Sequence, residues 1–224
     1  MPAGDIRAGA FALAAGYRYF TKGTIHVAVV DPGVGSKRQA IAVQTADYLF
    51  VGPDNGVLSF ALRRERIKSV RAIENNAWFL HPLSRTFHGR DVFSPVAAHI
   101  SRGVPLQELG PVLNDFKRLN WPEPRRKKGR LEGEVIYIDR FGNAITNLTT
   151  EALTSFQSGR CDVHANQPHL VPLQNHYQAV RPGKPVAVPG SSGLLEIAIN
   201  GGSAEDKLGL KIGTRIAIFP AKAK

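Results

Sequence analysis

Apolar residues recur along this chain in two different rhythms, and the change falls near its middle. In the first half, short apolar runs alternate with amphipathic stretches. Residues 5–16 are rich in alanine and predict a helix, with Ile6, Phe11, Leu13 and Ala14 as candidate buried positions. The run Ile25-His26-Val27-Ala28-Val29-Val30 predicts a buried strand, and further strands are expected over 40–45 and 48–51. Gly52-Pro53-Asp54-Asn55-Gly56 predicts a turn that opens a helix running to about Arg66, with Val57, Leu58, Ala61 and Leu62 as its apolar face. A strand over 69–73 and a helix over 91–102 follow. Pro95 belongs in the first turn of that helix, because a proline deeper inside would cost about 3 kcal/mol. Gly103 and Pro105 end it. Alternating strands and helices predict an α/β class, with a mostly parallel sheet covered by helices over residues 1–118.

Beyond residue 113 the rhythm becomes short and alternating, broken by Gly, Pro and Asn. Asn120-Trp121-Pro122-Glu123-Pro124 and the basic run Arg125-Arg126-Lys127-Lys128 predict a linker over 119–130. Strands are expected over 133–138, 144–148, 185–188, 194–199 and 214–219, a spacing that points to a small antiparallel sandwich or barrel over 131–224.

Charge changes this picture little. The net charge of +11 would attract nucleic acid, acidic lipid or anionic metabolites. A nucleic-acid platform needs exposed aromatics among its basic residues, however, and only Trp121 lies near the basic run, so nucleic acid is disfavoured as a partner. No apolar stretch approaches the roughly 20 residues that span a bilayer, and the opening residues are not a secretory signal. Cys161 is the single cysteine, which excludes an internal disulfide and fits a reducing cytoplasm.

Three polar clusters carry the candidate chemistry. In Asp31-Pro32-Gly33-Val34-Gly35-Ser36-Lys37-Arg38 a carboxylate stands where a strand ends, the position at which open α/β sheets collect ligands. It could equally be a tight turn. In Thr86-Phe87-His88-Gly89-Arg90-Asp91 an imidazole precedes a helix, a candidate acid, base or oriented donor, and Asp91 is expected to cap that helix. Asp139-Arg140-Phe141-Gly142-Asn143 is the third. Ser191-Ser192-Gly193 could bind an anionic group or make a strand-to-strand turn. None of the seven histidines shows metal-ligand spacing, and no phosphate-loop or dinucleotide pattern occurs, so neither metal nor cofactor is expected.

Together these segments resemble the S-adenosyl-L-methionine hydroxide adenosyltransferases, relatives of the fluorinases and chlorinases. The matching stretches are 23–35, Val51-Gly52-Pro53-Asp54-Asn55-Gly56, Thr86–Phe93, 138–147 and 190–200, in the family's order. The resemblance implies an N-terminal α/β domain followed by a C-terminal antiparallel β-barrel. It implies a homotrimer whose active sites lie at subunit interfaces. It further implies attack of water on the 5′ carbon of S-adenosylmethionine, giving adenosine and methionine without a cofactor. By motif position Asp31, Arg38 and His88 would form the catalytic triad. Phe87 would wall the reaction pocket, Asp139 would hold the methionine ammonium, and Asn143 and Phe141 would meet the adenine. Ser191 and Ser192 would meet the methionine carboxylate. The family's early Thr-Asp-Phe-Gly segment, whose aspartate grips the ribose, has no counterpart before Asp5. Either a mis-assigned start or a shortened chain is expected. In the latter case the alternative is a nucleoside or S-adenosylmethionine binding protein without turnover.

Overall fold

The computed structural model describes residues 2–127, 129–154, 160–164 and 168–219. It divides into two compact units, Met1–Asn120 and Trp121–Lys224.

The first unit opens with α1 (Ile6–Gly16), which begins where Asp5 accepts a hydrogen bond from the Ala8 amide at 2.9 Å. Of its expected buried positions Phe11 is in the core, whereas Ile6, Leu13 and Ala14 pack against it partly exposed. Four strands follow: β1 (Ile25–Val27), β2 (Ala40–Thr45), β3 (Leu49–Pro53) and, after the short α2 (Ser59–Leu62), β4 (Ile67–Ala72). They form one sheet in the order β1-β3-β2-β4. The sheet is mixed rather than mostly parallel: β1 runs parallel to β3, but β2 is antiparallel to both β3 and β4. The cause is local. Thr45 and Tyr48 close a tight turn, Thr45 N donating to Tyr48 O at 2.9 Å and Tyr48 N to the Thr45 hydroxyl at 3.0 Å. Strands joined by so short a turn must be antiparallel.

The chain expected as a buried strand to residue 30 is a three-residue edge strand, with Val27 and Val29 each about two-fifths exposed. Along β2 successive side chains enter opposite cores. Ile41 and Val43 pack with Phe50, Leu58 and Leu62 beneath α1 and α2, while Ala42 packs with Val51, Phe93 and Val96. That second face is covered by α3 (Ser94–Ser101), with Pro95 in its first turn as expected and Gly103 beyond its end at φ 97°.

The second unit holds β5 (Arg125–Lys127), β6 (Arg130–Ile138), β7 (Ala144–Thr149), α4 (Thr150–Leu153), β8 (Arg160–His164), β9 (Pro168–Pro172), β10 (Pro185–Pro189), β11 (Leu194–Ile199), α5 (Ala204–Leu208) and β12 (Arg215–Phe219). The basic run is therefore not free linker, since Arg125, Arg126 and Lys127 pair with β6; Lys128 lies outside the described residues. The strands make one eight-stranded antiparallel sheet in the order β10-β11-β7-β6-β12-β8-β9, with β5 also on β6. No closed barrel forms among the described residues. Among the described residues the two ends of the sheet meet at a single bridge, Leu173 with Ala187, in which Gln174 N donates to Ala187 O at 2.8 Å. Leu195, Ile197 and Ile199 of β11 enter the main core with Leu131, Val135 and Leu148. Val186 and Val188 of β10 and Ala198 of β11 line the opposite face.

Candidate active site

Asp31, Arg38 and His88, expected to act together, converge in the first unit. The chain leaving β1 is held in place by Asn55, whose side-chain amide donates to Val30 O at 2.8 Å. Asp31 follows at once. The next residues fold into two tight turns, Val34 N to Asp31 O at 3.2 Å and Ser36 N to Gly33 O at 3.1 Å. Gly35 is demanded twice over: its φ is 78°, and a Cβ there would stand 2.6 Å from the Arg85 carbonyl. This compact loop returns Arg38 to Asp31, with Nε and Nη2 at 2.9 and 2.6 Å from Oδ2. Both side chains are buried, 8% and 4% exposed respectively.

The same Nη2 lies 2.7 Å from Nδ1 of the half-buried His88. A guanidinium has no acceptor, so it donates, and Nδ1 carries no proton. The neutral imidazole then holds its proton on Nε2. Asp31 Oδ1 is buried and lacks a hydrogen-bond partner among the described residues. A buried carboxylate oxygen left so is costly unless a donor arrives. The constellation thus offers a ligand one acceptor, Asp31 Oδ1, and one donor, His88 Nε2–H.

His88 enters the site ahead of a π-helical turn, Gly89–Phe93, that leads into α3. Such turns recur at functional sites. Phe93 lies beneath the Arg38 guanidinium, 5.3 Å from it. Phe87 is 54% exposed and stacked by Arg90 at 4.9 Å. Asp91 does not cap the helix. It is fully buried, accepts from Arg90 Nε at 2.6 Å and from the Ser84 amide at 2.8 Å, and so clamps the preceding loop. Arg90 beside it holds its carboxyl below the usual carboxylate range.

The other expected site residues lie in the second unit. Asp139 organises its own loop: Oδ1 accepts from the amides of Phe141 at 2.8 Å and Asn143 at 2.9 Å, and Oδ2 accepts from the Asn143 side chain at 3.0 Å. Phe141 is thereby thrust outward, 75% exposed. Ser191 and Ser192 lie in the turn between β10 and β11, and the Ser192 hydroxyl is buried without a partner among the described residues. Two residues escaped the sequence reading. Glu196, in the otherwise apolar β11, is 8% exposed and accepts from the Tyr177 hydroxyl at 2.7 Å. A charge inside Leu194-Leu195-Glu196-Ile197 was the available signal. Among the described residues no group of three or more His, Cys, Asp or Glu is arranged to hold a metal.

Residues 1–110 match the SAM hydroxide adenosyltransferase N-terminal domain, and residues 133–217 match the C-terminal domain of the same family. The chain belongs to the SAM hydroxide adenosyltransferases. Within that family it is 38% identical to the (R)-S-adenosyl-L-methionine hydrolase of Thermus thermophilus, across 98% of this chain and 85% of that one. It is 24% identical to the fluorinase of Actinopolyspora mzabensis, across 90% of this chain and 78% of that enzyme. A crystal structure of an uncharacterised Thermotoga maritima protein superposes with a TM-score of 0.89 at 34% identity, covering 98% of this chain and 86% of that one.

Proposed function

We propose that this adenosyltransferase hydrolyses S-adenosyl-L-methionine to adenosine and L-methionine. The carrying observation is the buried Asp31–Arg38–His88 constellation with one carboxylate oxygen unclaimed. A relative named as an S-adenosylmethionine hydrolase and 38% identical supports the reading.

Elementary energetics constrain the mechanism. Bulk water ionises near pH 15.7 and a free imidazole near 6.5, a gap of roughly 9 units and about 12 kcal/mol. A standing hydroxide is therefore out of reach of one histidine. Moreover, with Nδ1 held by Arg38, His88 presents a donor and not a base. Water is instead oriented, one proton on Asp31 Oδ1 and one lone pair on His88 Nε2–H. Its other lone pair attacks the 5′ carbon as the C–S bond breaks, and those electrons return to sulfur as the neutral thioether. The proton leaves late, through Asp31, to solvent. Orientation of this kind supplies ~7–11 kcal/mol, against about 10²–10⁴-fold for proton transfer.

The amino-acid and adenine ends are assigned to the second unit. Asp139 meets the ammonium through its remaining lone pair, Ser191 and Ser192 the carboxylate, and Asn143 and Phe141 the adenine, while Phe87 walls the reacting carbon. Residues 1–118 and 131–224 act as the two functional halves. The assembly is a homotrimer with active sites at subunit interfaces, and the protein works in the cytoplasm.

Incubation with S-adenosylmethionine in ¹⁸O-water tests the reaction, and label in the 5′ hydroxyl of adenosine is expected. His88→Ala should lower kcat by about 100-fold or more while KM stays within about threefold. Equal losses in both would contradict the positioning role. Binding without product would favour a non-catalytic S-adenosylmethionine binder.

A further inference from the structure

The turn that follows β3 fastens both ends of the loop carrying Asp31 and Arg38. The chain leaving β1 makes its last bond to β3 at Ala28, whose amide donates to Val51 O at 3.0 Å. Asp31 comes three residues later, with no ladder partner of its own among the described residues. At the near end of the loop, the Asn55 side-chain amide donates to Val30 O at 2.8 Å, and that carbonyl belongs to the peptide leading into Asp31. At the far end, the Asp54 backbone amide donates to Gln39 O at 2.8 Å, one residue past Arg38. Two adjacent residues therefore set the spacing between the ends of the loop.

The fastening is stiff. Asn55 Oδ1 accepts from the Val57 amide at 3.1 Å, and Asp54 Oδ1 accepts from the Lys117 amide at 2.7 Å. Val57 is fully buried, in the core that holds Phe50 and Leu58. Residue 30 is also gripped by its side chain, because α1 presents Gly9 to it: a Cβ there would stand 2.7 Å from Val30 Cγ2. Helix α1 thus fixes where residue 30 sits, whereas Asn55 fixes how its peptide plane is turned. That plane directs Asp31, whose buried Oδ1 is the unclaimed acceptor of the site. Asp31 in turn holds Arg38, and Arg38 holds His88 Nδ1.

We propose that Asn55 is a positioning residue for the hydrolysis: through the Val30 carbonyl it sets the direction of Asp31 Oδ1 and, through Arg38, the seating of His88. This rests on the S-adenosylmethionine reading for its reaction, but one of its two readouts needs no turnover.

Asn55→Asp keeps the shape of the side chain and the acceptor for the Val57 amide, but turns an acceptor toward Val30 O where a donor stood. It should lower kcat for S-adenosylmethionine by about 30-fold or more while KM stays within about threefold, since a misplacement of about 1 Å costs on the order of 100-fold. Ser59→Ala is the control for stability alone. It removes the acceptor of the Leu119 amide at 2.9 Å beside the same turn, so it should melt lower yet keep kcat within about twofold. The second readout is the ring-nitrogen resonances of His88, which should report the single Nε2–H tautomer in the wild-type protein and mixed tautomers in Asn55→Asp. Asn55→Ala adds no charge and decides the matter, with the same expected losses, if Asn55→Asp does not fold. A normal kcat in either folded variant, an equal loss in Ser59→Ala, or an unchanged His88 tautomer overturns the proposal. Failure of both variants to fold overturns it too, by giving Asn55 to the fold alone. Failure of the hydrolysis reading would instead appear as absence of adenosine from the wild-type protein.

Discussion

Arg38 serves two partners from one terminal nitrogen, Asp31 Oδ2 at 2.6 Å and His88 Nδ1 at 2.7 Å, while its Nε adds a second bond to the carboxylate. A lysine carries its donors on a single point and cannot reproduce this planar fork. An apolar replacement strands Asp31, 4% exposed, as a buried anion, and losing one member of such a pair costs about 3–5 kcal/mol. Arg38→Met is therefore expected to lower the thermal midpoint strongly. Arg38→Lys should fold, yet lose about 100-fold in single-turnover rate because the imidazole is no longer fixed. Circular dichroism melts and rapid-quench kinetics read the two effects separately, and a lysine variant with normal rate would refute the orienting role. At this scale the sequence was partly readable. Asp31 and Arg38 lie seven positions apart in one glycine-rich segment and announce themselves together. His88 is fifty positions further on and joined them only through family resemblance. Asp91 misled, because its partner Ser84 lies upstream of the helix it was expected to cap.

Among the elements, those defined by local chemistry were legible and those defined by partners were not. Asp5 starts α1, Pro95 marks the opening of α3 and Gly103 its end, all signals within a few residues of their effect. β8 and β9 have no such signature. Arg160-Cys161-Asp162-Val163-His164 alternates weakly and becomes a strand because β12 and β9 bond to it. β1 was over-read: it is an edge, and its one buried residue is a histidine. His26 is 8% exposed and ringed by Tyr17, Phe20, Tyr48 and Phe50, with centroids 5.2–5.9 Å away. Its Nε2 lacks a partner among the described residues, and burial pushes its pKa down. The folded protein thus binds fewer protons than the unfolded chain between that lowered value and about 6.5, so stability falls as pH drops through this window. His26→Phe removes the titration and keeps an aromatic ring. From pH 7 to 5 the wild-type melting temperature should fall further than that of the variant, and parallel declines would contradict this account.

The whole molecule divides into two compact units near the place where the rhythm of apolar positions changes, and the net charge of +11 decided little about function. Sheet closure was not foreseeable, because strand periodicity fixes which faces are apolar and says nothing about how far the ends of a sheet lie apart. The proposed division of labour assigns water to one unit and the amino acid to the other, and this motivates the homotrimer. Sedimentation equilibrium should give three chain masses, whereas a monomer mass at micromolar concentration would rule that assembly out.

The Leu173–Ala187 bridge, the one link across the gap in the second sheet among the described residues, has its own outcome. A nearly continuous ring fastened by one stitch concentrates its breathing at that stitch, where the fewest bonds must part. β10 borders the gap and carries Val188, which backs Glu196. Loosening at that edge therefore reaches the Val188–Glu196 pair early, with the rest of the sheet left intact.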